Sequence, residues 1–280
     1  MKEIAVTQIS ETVRRLCIQS NLTLPQDAVD CICAGRNAEP WQPAKETLGL
    51  LSENLEIAER EQMPICQDTG MACIFLELGQ EIRIIGGDLY AAIHEGVRRG
   101  YADGFLRKSI VRDPLQRENT GDNTPAMIHL TIVPGDTLTI TVAPKGAGAE
   151  NMSRLAMLPP SAGWAGVMEF VLETVRLAGA NPCPPLVVGV GIGGNFDLVT
   201  SLAKHALLRP LDLPNPEPYY ADMEAQLLQN INALGIGPAG LGGRTTALAV
   251  QIEVYPTHIA TLPVAVNLNC HVARRATAVL

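Results

Sequence analysis

Three cysteines, each in a distinctive local sequence, constrain this chain more than any other feature. They are Cys66 in the run PICQDTG, Cys183 in NPCPP and Cys270 in NCH. Cys66 and Cys183 are 117 residues apart, and Cys183 and Cys270 are 87 apart, which excludes a local CxxC knuckle. A shared site therefore requires a fold that brings three distant segments together.

The chemistry of three isolated thiolates suits an iron–sulfur cluster. Three protein ligands leave one iron open, and an open iron is a Lewis acid that can take a substrate hydroxyl and carboxylate. The prolines on both sides of Cys183 fix the backbone there, which would benefit a ligand held at one angle. This pattern indicates hydration chemistry rather than electron transfer.

Composition narrows the class of protein. The 280 residues are 47% hydrophobic and 18% charged, which is typical of a globular chain and argues against disorder. The net charge of −8 disfavours nucleic acid or an anionic membrane surface as a partner. The sequence shows no run of about 20 apolar residues and no signal-peptide core, so we expect a soluble, cytoplasmic protein.

The seven cysteines are an odd number, which favours reduced thiols over a disulfide framework. For Cys17, Cys31, Cys33 and Cys73 we expect a structural role as small buried apolar side chains. His271 directly follows Cys270, the third of the framed cysteines (Cys66, Cys183 and Cys270). We expect His271 to support the site or to pack against its neighbours rather than to bind metal.

Hydrophobic periodicity predicts a mixed α/β (α+β) fold. Residues 1–125 are expected to be mainly helical, with helices near 6–16 and 44–60 and a third that begins after an N-cap at Asp88. Two β-rich runs, Met127–Val133 and Thr137–Val142, flank a Pro-Gly-Asp turn and predict a small antiparallel hairpin. Residues 126–280 are otherwise expected to form an α/β layer. We expect one domain over 1–280, with the cluster site between the helical region and this layer.

Two glycine-rich runs admit a nucleotide-binding interpretation. Gly189 to Gly194 fits the dinucleotide fingerprint GxGxxG, and Asp212 follows about 20 residues later. The next helix leads into a proline-rich loop instead of a second parallel strand, which favours close backbone packing over cofactor binding. The run Gly237–Thr245 lacks the lysine of a P-loop, so we expect a tight glycine turn there.

Polar residues near these motifs have both structural and functional interpretations. Gln67 and Asp68 directly follow Cys66, where Asp68 can cap a turn or act as an acid/base group. Arg107 is either a solvated surface cation or a bidentate carboxylate clamp, which lysine cannot replace. In the run PKGAGAEN, backbone amides around Gly148 can form an anion nest.

These runs together resemble the iron–sulfur (class I) fumarate hydratase family, specifically the alpha subunit of its two-subunit form, and the same family includes the alpha subunit of L-tartrate dehydratase. Besides the cysteine frames, the resemblance rests on LRKSIV (106–111), NTGDNTPA (119–126), PKGAGAEN (144–151), GVGIGG (189–194), ALLRP (206–210), GIGPAGLGGRTT (235–246) and PTHIA (256–260). It covers nearly the whole chain and is weakest in the first forty residues. One departure is Ala147, which stands where the family usually has the middle of three consecutive glycines.

The resemblance implies a [4Fe-4S] cluster bound by Cys66, Cys183 and Cys270. It assigns substrate contacts to four residues: Gln67, Asp68, Arg107 and Gly148. Asp68 is implied to handle the proton, and Arg107 is implied to clamp a carboxylate. Single-chain members continue into a second domain with further arginine, lysine and threonine groups. A separate beta subunit is therefore implied to complete the active site, in an α2β2 assembly.

The implied reaction is the reversible hydration of fumarate to (S)-malate, with the open iron as Lewis acid. The runs 145–151 and 189–196 look closer to the fumarate hydratase form, so the resemblance favours fumarate. The dehydration of L-tartrate to oxaloacetate is the alternative within the same class. Two hypotheses from other classes remain open. A dinucleotide-dependent oxidoreductase would require the Gly189 run to bind pyrophosphate, and an iron–sulfur sensor or scaffold would have no activity of its own.

Overall fold

The computed structural model describes residues 2–280, which divide into two compact units. The first unit consists of residues 2–25, Leu55–Ala147 and Arg274–Leu280. The second consists of Gln26–Asn54 and Gly148–Ala273. Each unit contains helices and a four-stranded sheet, so the mixed α/β class predicted from the sequence is confirmed.

The helices, in chain order, are α1 (Val6–Leu22), α2 (Gln26–Ala38), α3 (Gln42–Glu61), α4 (Leu89–Asp103), α5 (Ala147–Glu150), α6 (Gly163–Ala178), α7 (Leu198–Ala206) and α8 (Pro218–Ala233). The strands are β1 (Lys2–Ala5), β2 (Cys73–Gly79), β3 (Ile82–Ile85), β4 (Met127–Val133), β5 (Leu138–Val142), β6 (Arg154–Leu158), β7 (Leu186–Gly193), β8 (Ala247–Tyr255), β9 (Leu262–Asn269) and β10 (Ala276–Val279). Single 3₁₀ turns occur at Pro160–Ala162 and Pro238–Gly240. No helix within residues 2–280 is long and apolar enough to cross a membrane.

Helices α1 and α4 form a close pair in the first unit. An ideal Cβ built at Gly96 would lie 2.6 Å from the Ser10 carbonyl oxygen, so glycine permits this close approach. Helix α4 begins where the sequence predicted, because the Asp88 Oδ1 atom accepts a hydrogen bond from the Ala91 N–H at 2.7 Å.

The predicted hairpin between 127 and 142 is wrong. Strands β4 and β5 exist, but the sheet order is β10-β5-β2-β4, so β2 lies between them and pairs with both. The connecting turn passes over the end of β2, where an ideal Cβ at Gly79 would lie 2.5 Å from the Gly135 carbonyl oxygen. The buried, largely apolar β2 takes the central position, and this long-range pairing displaces the local one.

The sheet of the second unit has the order β6-β9-β7-β8, with β7 parallel to β8 and antiparallel to β9. A strand parallel to β7 therefore does follow it in the chain, after two helices. The expectation that no such strand follows was wrong. Gly189 and Gly191 lie inside β7, and ideal Cβ atoms there would be 2.1 and 2.3 Å from the carbonyl oxygens of Ala203 and Val199 in α7. The packing interpretation of these glycines is confirmed.

The four cysteines other than Cys66, Cys183 and Cys270 differ in their environments. Cys17 and Cys73 are buried, as predicted, and burial raises the pKa of Cys17 to about 12. Cys31 is half-buried and Cys33 is exposed, so the expectation of a buried side chain is wrong for Cys33. The apolar pattern of α2 is too short to indicate from sequence that Cys33 faces solvent.

Candidate active site

The Cys66 segment of the first unit presents the thiol among backbone and side-chain polar groups. Cys66 is half-buried, and its Sγ atom lies 3.3 Å from the Gln67 Oε1 atom. The Asp68 N–H donates to the same sulfur at 3.4 Å. The Cys66 sulfur therefore contacts both of the residues that follow it.

Both carboxylate oxygens of Asp68 accept hydrogen bonds from backbone amides. Oδ1 accepts from the Gly70 N–H at 3.0 Å, and Oδ2 accepts from the Ala147 N–H at 2.9 Å. The bond to Ala147 uses the main chain alone, so the alanine at this position preserves the contact. An ideal Cβ at Gly146 would lie 3.2 Å from Oδ2, so the preceding glycine leaves room for the carboxylate.

Arg107 is tied to the same segment through its backbone. The Thr69 Oγ1 atom accepts from the Arg107 N–H at 2.9 Å and lies 3.3 Å from the Arg107 carbonyl oxygen, to which it donates. Thr69 is buried, whereas the Arg107 residue is exposed. The backbone of Arg107 is therefore anchored to Thr69, the residue after Asp68, and the Arg107 residue is exposed to solvent.

Three buried side chains that the sequence analysis missed hold this segment from behind. The Tyr101 hydroxyl donates to the Thr69 and Gly70 carbonyl oxygens, at 3.0 Å each. Burial raises the pKa of Tyr101, so this hydroxyl keeps its proton. The Asn123 Nδ2 atom donates to the Gly70 carbonyl at 3.2 Å, and Arg274 donates to the Asp68 carbonyl at 2.6 Å. Helical periodicity could have placed only Tyr101 in the core, because Asn123 and Arg274 lie outside the helices and strands.

In the second unit, a contact made by His271 joins the segments that carry Cys183 and Cys270. The His271 backbone N–H and Nδ1 atom lie 3.5 and 3.1 Å from the Cys183 carbonyl oxygen. Because His271 directly follows Cys270, this contact joins the two cysteine segments, in agreement with the supporting role expected for His271. Cys183 has a φ of +54°, an uncommon conformation that the neighbouring structure must hold in place.

Gly148 lies beside the Cys183 segment in the same unit. An ideal Cβ at Gly148 would be 3.4 Å from the Asn181 carbonyl oxygen. The short helix α5 is held at its end by Glu150, which accepts from Lys204 Nζ at 2.5 Å and from Asn267 Nδ2 at 2.8 Å. These contacts hold the Glu150 end of α5 within the second unit.

The predicted site residues fall into two sets, one in each unit: Cys66, Gln67, Asp68 and Arg107 in the first, and Gly148, Cys183 and Cys270 in the second. Within residues 2–280, no three His, Cys, Asp or Glu side chains form a preassembled metal site. None of the three framed cysteines is in a disulfide, and each is half-buried or exposed. Accessible thiols of this kind are the donors that iron–sulfur clusters use.

Comparison with known proteins agrees with these features. The profile of the family described as fumarate hydratase (Fumerase) matches residues 10–279. A protein of Methanocaldococcus jannaschii, provisionally named L(+)-tartrate dehydratase subunit alpha, is 42% identical over 96% of each chain. The L(+)-tartrate dehydratase subunit alpha of Escherichia coli (strain UTI89 / UPEC) is 33% identical over 99% of this chain and 92% of its own.

Similarity of this extent, together with the fold, defines an enzyme of the hydro-lyase class. More particularly, the chain belongs to the fumarate hydratase (Fumerase) family.

Proposed function

We propose that this chain is the alpha subunit of a two-subunit hydro-lyase that reversibly hydrates fumarate to (S)-malate. The observation that carries the proposal is the Cys66–Thr69 segment, which presents a thiol, the bound Asp68 carboxylate and the anchor of Arg107 in succession. The description of the matching family supports fumarate as the substrate.

In this proposal Cys66, Cys183 and Cys270 hold a [4Fe-4S] cluster. When bound, the cluster supplies a Lewis-acidic iron that polarises substrate oxygens. The thiolates require a reducing compartment, so a cytoplasmic location belongs to the same proposal.

Asp68 is proposed to move the proton at carbon 3 of malate. Removing that proton is difficult because the adjacent carboxylate already carries a negative charge, so the base must be held in a fixed direction. The amides of Gly70 and Ala147 supply such a fixed mounting for the Asp68 carboxylate. In the hydration direction Asp68 returns the proton to the same carbon.

The remaining residues are proposed to bind and orient the substrate. The exposed Arg107 guanidinium can engage one carboxylate with two parallel hydrogen bonds. Gln67, exposed next to the thiol, supplies an amide for a substrate oxygen. The backbone N–H of Gly148 supplies another donor from the glycine loop.

L-Tartrate is the second candidate substrate, and the names of the curated relatives favour it. It carries one more hydroxyl than malate, and its dehydration to oxaloacetate uses the same proton transfer at carbon. The names of those relatives also support a beta subunit as partner. The α2β2 stoichiometry is part of this proposal.

Serine substitution tests the ligand set directly. After anaerobic reconstitution of the full chain with iron and sulfide, Cys66→Ser, Cys183→Ser and Cys270→Ser should each lose the broad visible absorbance of the cluster. Cys31→Ser and Cys33→Ser are matched controls and should retain it, because their thiols lie outside the proposed set. Equal loss in both groups would exclude this ligand assignment.

The substrate is tested with the chain co-purified with a candidate beta subunit. Initial rates with fumarate, malate and L-tartrate should give the highest kcat/KM for the fumarate–malate pair. A higher value for L-tartrate would select the second candidate. A complex that carries its cluster but turns over none of them would favour the sensor hypothesis instead.

A further inference from the structure

Arg274 is a buried cation that the proposed chemistry does not use directly. It is only 4% exposed, yet none of the three oxygens to which it donates belongs to a carboxylate. Its Nη2 atom donates to the Asp68 carbonyl at 2.6 Å, Nη1 to Asn21 Oδ1 at 2.9 Å, and Nε to the Pro144 carbonyl at 3.3 Å. The three nitrogens therefore hold three separate parts of the first unit.

A buried guanidinium without a paired carboxylate is costly. Transferring an ion from water into a protein interior costs several kcal/mol even after relaxation, and an apolar side chain could fill the same space at lower cost. The hydrogen bonds of the Arg274 guanidinium indicate what offsets this cost. Two of its three acceptors are main-chain oxygens, at Asp68 itself and at Pro144, three residues before the Ala147 amide that binds the Asp68 carboxylate.

Arg274 is itself held rigidly. It precedes β10, whose antiparallel register with β5 pairs Ala276 with Val142 and brings the side chain beside Pro144. Its acceptor Asn21 is fully buried and is fixed in turn, because Asn21 Nδ2 donates to the Cys17 carbonyl at 2.9 Å. The guanidinium therefore acts as a rigid connection between helix α1, the end of β5 and the Asp68 backbone.

We propose that Arg274 is a positioning residue for Asp68. By holding the Asp68 carbonyl and the chain that leads to Ala147, it fixes the direction in which the Asp68 carboxylate points. The inference rests on the proposed function in one respect, namely that Asp68 handles the proton. A positioning role of this kind predicts a loss of turnover with little loss of substrate affinity.

Lysine cannot reproduce this arrangement, because its ammonium is a compact point charge. It cannot reach the three separate oxygens that surround the planar guanidinium. Arg274→Lys therefore keeps the charge and removes the geometry. Tyr101→Phe is the matched comparison, since it removes hydrogen bonds to the neighbouring carbonyls of Thr69 and Gly70 but leaves the Asp68 carbonyl held. Arg83→Lys, at a side chain that is 67% exposed, is the control for the substitution itself.

The first measurement is amide hydrogen exchange in the full chain without cluster or partner. Arg274→Lys should accelerate exchange at Gly70 and Ala147 by at least about tenfold. In the wild type, local opening must break the contacts of the guanidinium, whereas in the variant these contacts are absent and opening costs less free energy. Arg83→Lys should leave both amides at the wild-type rate. Unchanged exchange at Gly70 and Ala147 in Arg274→Lys would overturn the proposal. If that variant is not recovered folded, Asn21→Leu removes one acceptor and should accelerate the same two amides, or else the proposal is wrong.

The second measurement is made on the complex with its beta subunit. Arg274→Lys should lower kcat by about tenfold or more and change KM less than about twofold, whereas Tyr101→Phe should retain a kcat closer to wild type at a similar loss in Tm. An equal fall in kcat for the two variants would identify a general stabilising role and reject positioning. Failure of the wild-type complex to hydrate fumarate or dehydrate tartrate would reject the proposed function, and the exchange data would still decide the role of Arg274.

Discussion

At the scale of single residues, the candidate site depends on backbone donors and acceptors more than on side-chain pairs. Asp68 is held at both carboxylate oxygens by amide N–H groups and at its own carbonyl by Arg274. Such contacts survive substitution of the residue that supplies the amide, which explains how Ala147 can replace a glycine. They also leave Asp68 with a defined direction, which is the property a proton-transfer group requires.

Arg107 is the residue at which charge and geometry can be separated most clearly. Arg107→Lys should lower kcat/KM of the assembled enzyme about 10- to 150-fold, since the proposed bidentate contact to a carboxylate would be lost while the charge remains. Steady-state kinetics with malate checks this. Thermal stability should not change, because the contacts that anchor Arg107 come from its backbone and Thr69. An unchanged kcat/KM would show that Arg107 is an ordinary surface cation.

Asp122 predicts an acid-dependent component of stability. Desolvation by burial would raise the pKa of Asp122, but hydrogen bonds from Thr124 and Arg98 outweigh it and lower this pKa to about 2. A lowered folded-state pKa stabilises the protein above the unfolded pKa of about 4, and that contribution is lost as the pH falls toward 2. Asp122→Asn should therefore reduce the free energy of unfolding by about 1–2 kcal/mol at pH 7.

The check is urea unfolding of wild type and Asp122→Asn between pH 7 and pH 3. The difference between the two proteins should be constant down to about pH 4 and shrink below it. Asp136→Asn, at an exposed carboxylate in the turn between β4 and β5, is the control and should show no such trend. A difference that persists undiminished at pH 3 would contradict the assignment of this pH dependence to Asp122.

At the scale of elements, local patterns were readable in the sequence and long-range pairing was not. The amphipathic spacing of α1, α3 and α4 predicted these helices, and Asp88 predicted a helix start that the structure confirms. Strand β2 was missed, because a central strand that is buried along most of its length lacks alternation. Without β2 in view, β4 and β5 could only be paired with each other, which is the physical origin of the wrong hairpin.

The candidate site shows the same division. The framed cysteines, Asp68 and Arg107 were identifiable because their chemistry is concentrated in short runs. Tyr101 and Arg274 were not, since their partners are main-chain carbonyls at Thr69, Gly70 and Asp68, far away in sequence. A carbonyl oxygen is present at every residue, so no sequence pattern marks which one a distant side chain will reach.

The contact between β7 and α7 gives a prediction at this scale. Gly189→Ala should destabilise the protein by about 1–3 kcal/mol, because the new methyl group would meet the Ala203 carbonyl and force the helix away. Gly49→Ala is the control: Gly49 lies in α3, and a Cβ there meets only the flexible end of Arg36 at 3.4 Å. That variant should be neutral or more stable by up to about 1 kcal/mol. Urea unfolding compares the two, and equal midpoints would contradict the packing role of Gly189.

At the scale of the whole molecule, the net charge constrains how the proposed dicarboxylate substrate would bind. With a net charge of −8, the chain as a whole repels a dianion, so attraction must come from cations placed at the site. Arg107 is exposed and available to one carboxylate, whereas the buried Arg274 uses its donors within the first unit. The proposal leaves the second carboxylate to a cation from another subunit, in keeping with the names of relatives that this chain matches over nearly their full length.

If a second subunit supplies this cation, activity should depend on a partner. The purified chain should bind its cluster and yet hydrate fumarate negligibly, because water competes for an exposed site and weakens every electrostatic contact there. Added beta subunit should restore turnover in proportion to the complex formed, measured by titrating the partner against a fixed amount of this chain. Asp68→Asn in the same complex should abolish turnover while the visible absorbance of the cluster and the partner affinity stay at wild-type values. Full activity of this chain without a partner would mean that its own residues complete the site, and the two-subunit proposal would then be wrong.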